Sequence, residues 1–219
     1  MSAGPPAVLI MVRAPRRGDV RRALEPVLGT DQTVALQAEL IRVAGAWAGE
    51  AAPGQVHVAH DPPDAGPEIR ELIGPDITLF PQTGSGIAGR VAEAVGRVFA
   101  RRDGPLLVAW PGLPRFRADH AAGALDDLAN GCDIVLGPVI DGGFYLIGIS
   151  RPLPDLFSLP EQAWRDHDAM TLAVAAVRNA GLEIGILRAE RALQRPADLR
   201  AALADPLLPE AIRRTLTAR

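Results

Sequence analysis

Two groups of residues in this chain have the types and spacing to do chemistry. The first is Asp141-Gly142-Gly143, set between apolar runs at 134–136 and 144–149 and preceded by Gly137 and Pro138. Successive glycines let a backbone come close to a ligand, and the carboxylate at their edge could hold a metal–phosphate group. The same residues could simply turn the chain, because Asp-Gly between two β-rich segments reads as a tight strand connection. The second group is Arg13, Arg16, Arg17, Arg21 and Arg22, spread around Pro15 and Gly18 directly after the apolar run 7–12. A basic, glycine-containing loop at the carboxyl end of a first buried strand is where open α/β sheets bind phosphates. A solvated basic loop is the competing reading.

Other candidates are weaker. PQTGSG at 81–86, which contains Gln82, leads into a helical pattern and could bind an anion at the helix N-terminus or act as a flexible connector. His57 and His60 are three apart on a strand-like stretch, which sends them to opposite faces and argues against a metal pair. Trp164, Asp166, His167 and Asp168 cluster in the long proline-bearing stretch 151–168, which reads as an active-site or interface excursion. Asp168 suits a helix cap, and His167 is a general base by type or an exposed loop residue.

The elements that would position these groups follow from periodicity. Strands are expected at 7–12, 55–59, 77–80, 105–110, 134–136, 144–149 and 182–187, from short apolar or alternating runs. Helices are expected at 31–47, from near Pro67, and at 87–101, 118–130, 169–180, 196–204 and 209–217. Trp47 falls on the apolar face of the first helix and reads as packing. Strands alternating with helices predict an α/β sandwich with a largely parallel central sheet, made mixed by the hairpin-like centre.

Composition sets outer bounds. At 219 residues and 48% apolar content, one core and a single domain over residues 1–219 are expected, and disorder is excluded. A net charge of −3 gives no electrostatic reason to expect nucleic acid. Cys132 is the one cysteine, so no intrachain disulfide can form, and a reducing compartment is expected. With neither a signal-like N-terminus nor a run near the roughly 18 apolar residues of a membrane span, the chain reads as cytoplasmic with no membrane partner. All 23 basic residues are arginine, so Schiff-base chemistry on a lysine is excluded.

With those residues in place, the chain resembles the bacterial DUF2064 family, relatives of GT-A glycosyltransferases and MobA-like nucleotidyltransferases. GPVIDGGFYLIGI at 137–149 is similar to the family's GPxxDGGYYLIG signature. RAPRRGDVRRAL at 13–24 resembles its KxPxxGxxKTRL loop, and QTGSGIAGRVAEAV resembles its Q-x-G-x-L-x-x-R helix start. The resemblance implies a three-layer α/β/α sandwich of GT-A type, a first loop that handles nucleotide phosphates, and acidic residues that hold Mg²⁺ or Mn²⁺. It marks Arg13, Arg17, Gly18, Arg21, Arg22, Gln82, Pro138, Gly142 and Gly143 for substrate, and Asp141 as the catalytic and metal-binding acid. Three departures stand out. The family's loop arginine is Ala23, its acidic strand end is Ala109-Trp110-Pro111-Gly112, and its C-terminal DVD acids are Ala192-Leu193-Gln194, although Pro196, Asp198 and Leu199 remain.

Asp141 is thus the only family-matched acid, whereas a cation shared with a diphosphate usually takes one or two carboxylates. Trp110 carries a donor and no acceptor, so it cannot replace one. Three functions follow as expectations. The first is transfer of a glycosyl or nucleotidyl group from a nucleotide sugar or nucleoside triphosphate to an acceptor. The second is a non-catalytic binding or scaffold protein that kept the fold. The third is a divergent enzyme in which Asp166, His167 or Asp168 takes over.

Overall fold

The computed structural model describes residues 4–153 and 169–218. The chain opens with β1 (Ala7–Arg13), buried along all but its last residue, and then a loop that closes in one 3₁₀ turn at Arg22–Leu24. A short α1 (Glu25–Leu28) leads into the long α2 (Thr30–Ala51). Next come β2 (Val56–Asp61), α3 (Gly66–Ile73), β3 (Thr78–Pro81) and α4 (Gly86–Phe99). They are followed by β4 (Leu106–Ala109), α5 (Ala118–Ala129), and the hairpin of β5 (Ile134–Pro138) and β6 (Phe144–Ile149). Beyond residue 168 lie α6 (Ala169–Asn179), β7 (Ile184–Ile186), α7 (Pro196–Ala204) and α8 (Glu210–Thr217).

These strands form one seven-stranded sheet in the order β3-β2-β1-β4-β6-β5-β7. All pairings are parallel except the two made by β6, which runs against both β4 and β5. The mixed sheet and the hairpin agree with the expectation from sequence. Residues alternate faces along a strand. Val8, Ile10 and Val12 therefore pack with α2, α3 and α5, while Leu9 and Met11 pack with Val91, Val95 and Val98 of α4 and Ala173 and Val177 of α6. That makes three layers. A third apolar cluster joins Leu36 and Leu40 of α2 to Leu199, Ile212 and Leu216 of α7 and α8. Trp47 is 4% exposed and stacks on Phe116 at 4.6 Å, with its indole N–H donating to the Arg117 carbonyl. It is a packing residue, as its place on the helix suggested.

Topology fixes where a ligand can bind. From β1 the chain moves one way to β2 and β3, then returns to place β4 on the other side of β1. The connections leave the carboxyl ends of β1 and β4 in opposite directions, which opens a crevice between them. Because β6 is antiparallel, the β5–β6 connection carrying Asp141 emerges at that same edge.

Candidate functional site

A cleft occupies this crevice in two adjoining parts that share Met11, Arg13 and Trp110 as walls. One part, about 290 Å³, lies over β1 and β2 and is lined also by Asp61, Gln82, Ile87, Arg90 and Val91. The other, about 390 Å³, lies under the first loop, where Asp19, Arg21, Arg22, Gln37, Gly112 and Gln194 contribute. Across both parts four arginines face two aspartates, so the cleft carries excess positive charge.

The charges are arranged differently in the two parts. On the β2 side, Asp61 Oδ2 accepts from Arg13 at 2.9 Å and from Arg90 at 3.1 Å, so both cations there are neutralised in part. Gln82 donates to the Val12 carbonyl at 3.0 Å and the Ala59 carbonyl at 2.9 Å, tying the ends of β1 and β2 together beneath that wall. On the loop side, Arg21 is the central group. Its guanidinium donates to Gln37 Oε1 at 2.9 Å, to the Pro111 carbonyl at 2.6 Å, and to the Leu193 carbonyl. All three acceptors are neutral. Burial without a carboxylate pulls the Arg21 pKa from its usual value down to about 10.

Arg21 also has a left-handed backbone, φ 47° and ψ 39°, and is the one non-glycine residue with positive φ among the described residues. That conformation costs about 1–2 kcal/mol for a residue with a Cβ. It turns the side chain inward from the loop, where the three hydrogen bonds fix it. Gln37, buried on α2, completes the brace by donating to the Arg13 carbonyl at 2.8 Å. The C-terminal wall is held by Asp198, fully buried, which accepts from the Gln194 and Arg195 N–H groups and from Arg191. The Leu193 N–H then donates to the Gly112 carbonyl at 2.9 Å, so residues 192–194 pack against the end of β4.

The residues singled out from sequence do not all converge. Arg13, Arg21, Arg22 and Gln82 line the cleft. Arg22 is exposed, and its Nε donates to the Gly18 carbonyl at 2.5 Å. Gly18 takes φ 74° in that turn, a conformation that suits glycine. Arg17 points elsewhere and pairs with Asp31, both side chains 73% exposed. Arg16 reaches Asp64 and Glu68 and anchors the loop to α3. Pro138, Asp141, Gly142 and Gly143 line neither part of the cleft. They lie at the same edge beyond Trp110, over the hairpin, where Gly142 (φ 97°) and Gly143 (φ 78°) make the turn. His57 and His60 do face opposite ways: His60 is buried and His57 half-exposed. Trp164, Asp166, His167 and Asp168 lie outside the described residues.

Asp61, Arg90 and Gln37 were not singled out from sequence. Arg90 occupies the arginine position of the helix-start motif, which is the signal that could have found it. Nothing local marks Asp61 or Gln37. Their roles arise from contacts 16 or more residues away.

The divalent cation that the resemblance implies can be tested against these side chains. Among the described residues no three Asp, Glu, His or Cys side chains gather as a ligand set. Trp110 stands at the end of β4, and of the two cleft acids Asp61 is committed to two arginines, which leaves Asp19 by itself. The donor set does not fit the implied ion.

The architecture is that of the GT-A-like nucleotide-diphospho-sugar transferases. A protein from Desulfovibrio desulfuricans, provisionally named a nucleotide-diphospho-sugar transferase, superposes with a TM-score of 0.82 at 25% identity, covering 96% of this chain and 93% of its own. A cytidylyltransferase from Leptospira borgpetersenii shares the fold at a TM-score of 0.56 and 15% identity, over 90% of this chain and 86% of that one. A Mycobacterium tuberculosis protein crystallised with manganese does so at 0.51 and 16%, over 90% and 97%. The family described as "Uncharacterized protein conserved in bacteria (DUF2064)" matches residues 45–161, more than half of the chain, and the chain belongs to that family. No curated protein matches it. Among the described residues no helix is long and apolar enough to cross a membrane.

Proposed function

We propose that residues 1–219 form one transferase-type domain whose cleft binds a nucleotide-activated donor, a nucleotide sugar or a nucleoside triphosphate, for glycosyl or nucleotidyl transfer. The observation that carries this reading is the excess of arginine at the β1/β4 crevice, with Arg21 held, among the described residues, on neutral acceptors. Unspent positive charge beside an aromatic wall suits a ligand with one anionic and one flat apolar part. The likeness to the Desulfovibrio protein supports the same class of ligand.

In this reading the phosphates lie against Arg13, Arg21 and Arg22, which draw charge from the leaving diphosphate as the bond to the transferred group lengthens. The base and sugar lie on the Trp110, Ile87 and Val91 side, where Asp61 and Gln82 offer polar contacts. Asp141, with no hydrogen bond or ion pair of its own among the described residues, would accept a hydrogen bond from an acceptor hydroxyl brought over Gly142 and Gly143. Arg17 and Gly18 would shape the loop rather than touch the phosphates.

Thermal-shift measurements against nucleoside di- and triphosphates and nucleotide sugars test the reading. A ligand at 100 times its Kd adds about 2.7 kcal/mol, or roughly 5–11 °C in Tm for a chain of this length. Trp110→Ala should remove most of that shift. Product formation abolished by Asp141→Asn would exclude a non-catalytic scaffold, whereas binding without turnover for any donor and acceptor would favour one.

A further inference from the structure

We propose that the anionic part of the ligand is held by Arg13, Arg21 and Arg22 without a bridging divalent cation, Arg21 supplying the fixed positive charge that an ion would otherwise bring. The inference rests on the nucleotide reading above and concerns how that site handles charge. Three independent features point to it. First, Arg21 is turned into the cleft wall by a left-handed backbone and braced on three neutral oxygens, from Gln37, Pro111 and Leu193. Among the described residues these use three of its five N–H donors, which leaves two for the oxygens of a ligand. Second, the end of β4 offers Trp110, whose indole donates and cannot ligate, at a wall common to both parts of the cleft. Third, two of the acids nearby have other partners, which leaves Asp19 as the one cleft carboxylate without an ion pair among the described residues. Asp61 bridges Arg13 and Arg90, and Asp198 is buried under Arg191 and two backbone N–H groups.

A hard cation shared with a diphosphate needs protein carboxylates free to turn toward it. This cleft instead presents guanidinium groups, which pair with phosphate bidentately and bring their charge without any ion. The side chains facing the loop-side cavity, three arginines against Asp19, bring net positive charge to a diphosphate without any ion.

Calorimetric titration of the full chain with ADP, CDP, GDP, UDP and inorganic pyrophosphate, each in EDTA and in Mn²⁺, tests the proposal. The expected result is a Kd for the best-bound diphosphate that agrees within about twofold between the two buffers. Arg22→Gln, on an exposed side chain that leaves the braced core intact, should weaken binding about tenfold in both. Trp110→Asp, which places a carboxylate at the strand end, should make binding metal-dependent. Affinity that collapses in EDTA and returns with Mn²⁺ for the unaltered protein would overturn this inference while leaving the nucleotide reading standing. No binding in either buffer would overturn the nucleotide reading itself.

Discussion

Asp198→Ala is the substitution whose effect can be worked out furthest from the structure. The carboxylate is fully buried and accepts the Arg195 N–H at 2.8 Å, the Gln194 N–H at 3.1 Å and Arg191 Nη1 at 2.9 Å. Alanine removes both oxygens and leaves two backbone donors at the start of α7 without their partner. Hydrogen bonds to a charged group contribute about 1.5–3 kcal/mol each. The Arg191 contribution must be discounted, because its side chain is 40% exposed and regains water. Some re-solvation of the two N–H groups is also expected, which brings the net cost to about 2–4 kcal/mol. For a chain of this length that lowers Tm by roughly 4–16 °C. Asp198→Asn keeps one acceptor oxygen and should cost less than half as much. Urea unfolding followed by circular dichroism, run beside a thermal melt, would read both variants. A fall in Tm of less than about 2 °C for the alanine variant, with an unchanged urea midpoint, would refute the reasoning.

Two further predictions concern stability. Burial holds the His120 and His57 pKa values below the usual imidazole value, with the Glu190 carboxylate opposing the shift at His120 and Arg101 and Arg102 adding to it at His57. As pH falls through about 6.5 the unfolded chain takes up protons that the folded chain refuses. Stability should therefore drop between pH 7 and 5.5, and His120→Gln should flatten that slope in urea midpoints measured across the range. Gly137→Ala would put a Cβ 2.7 Å from Tyr145 Cζ, and Tyr145 is 1% exposed and cannot move aside. An overpacking cost of about 1–3 kcal/mol is expected from chemical denaturation.

The order and type of the elements were legible because each is carried by local periodicity. The residues expected for the helix at Pro196 coincide with α7, and the hairpin around Asp141 formed as its apolar flanks required. Ends of strands moved by a few residues, as at β4, where Trp110 lies outside the strand. The site was legible only in part, since convergence is a property of the sheet order. Nothing local says that Arg17 turns out to Asp31 while Arg21, four residues on, turns in. That difference comes from a left-handed backbone and from Gln37, both invisible to a charge count. Asp61 and Arg90 meet because parallel β2 and helix α4 deliver them to one edge, although 29 residues separate them. The number of strands between Asp141 and Arg13 could not be read without the order β1-β4-β6-β5.

Arg21 also bears on when the cleft comes into being. Its three acceptors belong to segments 16, 90 and 172 residues away along the chain. During synthesis the loop after β1 is made long before the Leu193 carbonyl that completes its brace. Until then the guanidinium lacks the partner that offsets its desolvation and its left-handed backbone, and the loop has no reason to keep this shape. Long-range closures of this kind are late events in folding. The braced form of the cleft is therefore withheld from the growing chain until its C-terminal wall has docked.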